Sequence, residues 1–85
     1  AQSVYVSDYR NHRVVKWMRS GREGTIVAGG NGQGKSLKQL SSPQGIWVDS
    51  VGNVYVADSW NHRIVRWSRG ESEGKVIVEG KWKER

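Results

Sequence analysis

Hydrophobic residues in this chain fall into short runs, at residues 4–6, 13–17, 25–28, 46–48, 54–57, 63–67 and 75–78, separated by polar and glycine-rich stretches. The runs are too short for helices and rich in Val, Ile, Tyr and Trp, so they predict strands. Val4-Tyr5-Val6 and Val54-Tyr55-Val56 each lead to an acid, Asp8 or Asp58, and a short polar loop then leads to residues 13–17 or 63–67. Each such pair reads as a β-hairpin. A third run follows a loop containing Gly24 or Gly74, and a fourth, Ile46-Trp47-Val48, stands before the second hairpin.

The pattern occurs twice. Residues 4–30 and 54–80 align without a gap at an offset of 50 residues, with about half the positions identical, and that period belongs to repeat architectures of the propeller class. Residues 46–48 and 54–57 are apolar on both faces, as expected of inner strands covered from both sides. Residues 63–67 mix charge with apolar residues, and the last run sets Lys75, Ile77 and Glu79 against Val76 and Val78, as suits an outer edge. A four-stranded antiparallel sheet with these properties is a β-propeller blade. The expected division is an incomplete, three-stranded blade at 1–30, a Gly-rich linker at 31–44, a complete blade at 45–80 and a basic tail at 81–85. The first copy has no counterpart of the strand that begins at Pro43, so its inner edge is expected to be open unless Ala1-Gln2-Ser3 or another chain repairs it.

Composition sharpens this picture. The chain has 85 residues, 35% of them hydrophobic, and no cysteine, so a core this small has no disulfide to reinforce it. Two blades facing each other leave apolar side chains on their outer faces, and repeat units need about three or more neighbours for stability. A homo-oligomer is therefore expected, most simply a trimer closing a six-bladed ring. The net charge of +6 suits partners bearing phosphates or acidic groups, although the basic residues are dispersed along the chain. No apolar run approaches a membrane span, and no membrane partner is expected.

The residues with chemical potential read mainly as structural. Asp8, Asn11 and Arg13 recur as Asp58, Asn61 and Arg63. In each set the arginine returns a guanidinium close to the carboxylate, and the asparagine can bond nearby backbone to fix the turn. His12 and His62 occupy equivalent positions in different blades, too far apart to share a metal, and no catalytic residues or cofactor site are apparent. Gly29-Gly30-Asn31-Gly32-Gln33-Gly34-Lys35-Ser36 satisfies the phosphate-binding pattern G-x-x-x-x-G-K-[ST]. A phosphate loop needs a following helix, however, and Ser41-Ser42-Pro43 leaves no room for one. Trp17 and Trp67 share one strand position and read as core.

Pro43-x-Gly45-Ile46-x-Val48-Asp49, then Gly52-Asn53-Val54-Tyr55-Val56-Ala57-Asp58, then Asn61-His62-Arg63-Ile64 resembles the NHL repeat. The resemblance implies blades of a β-propeller, commonly six, with the Pro43 strand innermost and the loops carrying Tyr9-Arg10 and Ser59-Trp60 on one face of the disc. Some members of the family bind single-stranded RNA on a basic face and others bind proteins. The functional expectation is a self-assembling, non-enzymatic structural or binding scaffold. The alternatives are a disc that binds single-stranded RNA or an acidic protein through Tyr9, Arg10 and Trp60, and a carbohydrate-binding propeller.

Overall fold

The computed structural model describes residues 3–18 and 21–80. Their strands are β1 (Ser3–Asp8), β2 (Arg13–Met18), β3 (Gly24–Gly29), β4 (Pro43–Val48), β5 (Val54–Asp58), β6 (Arg63–Trp67) and β7 (Lys75–Glu79). One antiparallel sheet has the order β1-β2-β3 and the other β4-β5-β6-β7, giving the expected all-β arrangement of three strands and then four. β4 begins at Pro43, the start of the strand that the first copy lacks. The basic tail at 81–85 and the repair segment at Ala1 and Gln2 lie outside the described residues.

Both hairpins turn in the same way. A single 3-10 turn, Tyr9–Asn11 or Ser59–Asn61, is followed by a histidine in the left-handed region, His12 at φ 54° and His62 at φ 52°. The backbone N–H of each histidine bonds back to the carbonyl of Tyr9 or Ser59. These backbone bonds close the turn, where the sequence had suggested the asparagines. Asn11 bonds the Asp8 carboxylate instead, and Asn61 bonds Asp58 and a distant carbonyl, that of Gly34.

Register assigns each side chain to a face. Val54, Val56 and Asp58 share a face with Arg63, Val65 and Trp67, joined by Ile46 and Val48 from β4 and Val76 from β7. That face meets the side of the first sheet carrying Tyr5, Val14 and Ala28. Leu40 of the linker, fully buried, completes the core. The β5 run Val-Tyr-Val-Ala-Asp thus alternates buried and half-buried positions.

Within the single chain the inner strands are covered on one face, leaving the other as the apolar outer face expected of two blades: Trp47 in β4 is 66% exposed, with no second sheet among the described residues on its side. One strand expectation changes. The simple alternation in β7 is broken by a bulge, since Ile64 pairs with Val78 while Val65 pairs with Val76. The extra residue, Ile77, places Val76 toward the core and Val78 on the opposite face. A bulge of the same register lies between Val14 and Val15 in the first sheet.

Candidate functional site

The two Asp–Asn–Arg clusters sit at the same end of the two sheets, and the linker treats them differently. Around Asp58, Arg63 Nε donates to Oδ2 at 2.7 Å, Asn61 Nδ2 to Oδ2 at 2.9 Å and the Ser41 backbone N–H to Oδ1 at 2.6 Å. The outer nitrogens of Arg63 donate to three linker carbonyls, Lys35 at 2.9 Å, Ser36 at 3.2 Å and Gln39 at 3.1 Å, while Asn61 reaches the Gly34 carbonyl at 2.8 Å. Side-chain exposure is 0% for Asp58 and 7% for Arg63. This is a buried charge pair with its remaining hydrogen-bonding capacity satisfied, the condition under which such pairs persist.

Around Asp8 only the local half of the arrangement is present. Asn11 Nδ2 lies 3.2 and 3.0 Å from the two carboxylate oxygens and Arg13 Nε is 2.9 Å from Oδ2. The side chains of Arg13 and Asp8 remain 37% and 28% exposed. Hydrogen bonds from Asn11 and then Arg13 hold the Asp8 carboxyl below its ordinary value. The neighbouring His12 accepts the Ser42 backbone N–H at Nδ1, 3.0 Å away, which ties the linker to the first hairpin.

The candidate ligand residues lie on the two 3-10 turns. Arg10 Nε donates to Tyr9 Oη at 3.3 Å, and its guanidinium stands 5.8 Å from the centre of the Tyr9 ring. Trp60 is 71% exposed, and its backbone N–H bonds the Ser41 carbonyl. Tyr9 and Trp60 therefore present aromatic faces to solvent at one end of the molecule, the end that also carries Arg10. The two equivalent tryptophans diverge: Trp67 is 2% exposed in the core, whereas Trp17 is 37% exposed on the outer face of the first sheet. The glycine-rich stretch 29–36 is followed by turns and a bridge rather than a helix, so it lacks the structure a phosphate loop requires.

The outer face of the second sheet carries the exposed apolar side chains expected from the sequence, and the particular aromatic pair there was not singled out. Trp47 and Tyr55 stack there at 5.2 Å between ring centres with a tilt of 39°. Arg66, paired across the strands with Tyr55, has a buried Nε without a hydrogen-bond partner among the described residues. The signal was available in the pairing of Trp47 with Tyr55, two aromatics that a one-sided strand must expose. A groove of about 650 Å³ also opens between the sheets, lined by Tyr5, Lys16, Val48, Val54, Trp67 and Arg69 among others. Among the described residues, no three His, Cys, Asp or Glu side chains are grouped so as to hold a metal ion.

A comparison of the chain with curated proteins finds no match. Residues 40–67, which run from the buried Leu40 through β4, β5 and the Asp58–Arg63 turn to Trp67, match the family model of the NHL repeat, and over that segment the chain carries an NHL repeat.

Proposed function

We propose that the chain is a self-assembling NHL-type β-propeller module, a structural or binding scaffold without catalysis, in which copies complete a ring of blades. The observation that carries this reading is the chemistry of the two outer faces. Val4, Val6, Val15, Trp17 and Ile26 on the first sheet are counterparts of the residues through which the second sheet meets the first. Tyr55, Ile64, Arg66 and Val78 on the second sheet are likewise counterparts of Tyr5, Val14, Lys16 and Ala28 in the internal junction. A second copy placed by repeating that junction sets the outer face of one chain's first sheet against the outer face of the other's second sheet, and closing a ring covers the outer faces that remain. The contact is head to tail, so it closes into a ring when the rotation between blades allows; three chains and six blades is the favoured closure.

Light scattering coupled to gel filtration tests this, with a discrete oligomer expected and Trp47→Asp expected to dissociate it. A folded monomer of the unaltered chain at micromolar concentration would refute it.

A second reading, weak binding of single-stranded RNA, is favoured by the exposed Tyr9 and Trp60 beside Arg10. Aromatic faces with guanidinium groups suit base stacking and phosphate contact. Anisotropy of a labelled oligonucleotide should rise at low salt and fall steeply with added salt. It should be lost in Arg10→Glu, Trp60→Ala. Equal binding by that variant removes the face as a site.

A further inference from the structure

We propose that Asp8, Asn11 and Arg13 form a docking site for a peptide segment with the chemistry of this chain's own residues 34–41. The inference comes from comparing two copies of one cluster within one molecule. Both are built on the same hairpin register, Asp8 opposite Arg13 and Asp58 opposite Arg63, and on the same 3-10 turn closed by a left-handed histidine. The second copy shows what the cluster binds. Its arginine takes the carbonyls of residues 35, 36 and 39, its asparagine takes that of residue 34, and its aspartate takes the N–H of residue 41.

In the first copy, the same donors and acceptor have no such partners among the described residues. Arg13 bonds only through Nε, Asn11 bonds only Asp8, and Asp8 Oδ1 receives only Asn11. The apolar wall is duplicated as well: Val6 and Val15 are the counterparts of Val56 and Val65, which cluster with Leu40 in the core.

The occupied copy also defines the ligand. A side chain at position 34 would meet only the amide end of the Gln39 side chain, which can swing aside, so the requirement falls on the backbone of the segment rather than on glycine. The segment needs three carbonyls turned to one side, a leucine at the fifth residue beyond Lys35, and an unbonded N–H immediately after that leucine. The Asp8–Arg13 pair is electrically neutral, so its remaining guanidinium donors suit peptide carbonyls better than a phosphate. The site stands on a repeat inside one chain and not on ring closure, because the internal junction accommodates both a facing sheet and a linker.

The test is a fluorescein-labelled peptide of residues 31–42 titrated with the whole chain, followed by anisotropy. Saturable binding is expected, persisting at physiological salt. It should weaken about tenfold in Arg13→Ala, the loss expected of charge-assisted hydrogen bonds. Arg13→Lys, which keeps the charge beside Asp8 but not the planar fork, should weaken it too, as should Leu40→Asp in the peptide. Circular dichroism establishes that each protein variant is folded. No binding at millimolar peptide, or equal affinity for the unaltered chain and folded Arg13→Lys, overturns the proposal. The assembly reading fails separately, through a monomeric mass in light scattering.

Discussion

Replacing Arg63 with alanine separates a buried charge pair from its exposed twin in the same molecule. The substitution removes all four hydrogen bonds of the guanidinium. It leaves the carboxylate of Asp58, which has no solvent exposure, with only the Ser41 N–H and Asn61 as donors. Breaking a buried pair from one side costs about 3–5 kcal/mol. In a domain of this size each kcal/mol lowers the melting temperature by about 4–8 °C, so a loss well above about 10 °C is expected. Arg13→Ala, where water replaces the lost partner, should cost much less. Guanidinium denaturation followed by tryptophan fluorescence compares the two, and Asp58→Asn, Arg63→Met should recover part of the loss because no unpaired charge remains. Equal destabilisation by Arg63→Ala and Arg13→Ala, or a cost below about 1 kcal/mol for Arg63→Ala, would refute the reasoning.

Gly74→Ala should destabilise by about 1–3 kcal/mol, the usual range for overpacking. Its Cβ would meet the Trp67 ring at 2.7 Å as well as Val65. Gly24→Ala should cost less because Trp17 has solvent on its outer side; thermal melts of both variants decide the order. In acid, Asp49 contributes through its bonds to the Asn53, Val51 and Gly52 N–H groups. Those to Asn53 lead in holding its carboxyl below the ordinary 3.8, as Asn11 and Arg13 do for Asp8. A depressed folded value means that this stability is fully present above pH 3.8 and disappears as pH falls through the folded values. Urea midpoints should therefore drop below that pH, and Asp49→Asn should flatten the acid limb; an identical limb in the variant would exclude Asp49 as its source.

The strands were legible because β-branched and aromatic runs bounded by polar turns carry their own signal, and the repeat supplied each one twice. The pairing of Asp58 with Arg63 was legible from their spacing across a hairpin. Environment was not. Trp17 and Trp67, or Asp8 and Asp58, are the same residue at the same register position, yet one of each is buried and the other half-exposed. The difference comes from which sheet face has a neighbour. The part played by the linker was hidden for another reason: Arg63 is satisfied by backbone carbonyls of residues 35, 36 and 39, and every residue type has a carbonyl.

The linker's grip on Arg63 also orders events in time. The Asp58–Arg63 bond spans five residues, whereas the bonds from Arg63 to the linker span 24 to 28. Hairpins close within microseconds, while contacts distant in sequence must await closure of a longer loop. The expected order is therefore that the linker docks onto hairpins already formed. Arg63 acts as a late lock: its loss should leave the refolding rate nearly unchanged and appear almost entirely as faster unfolding.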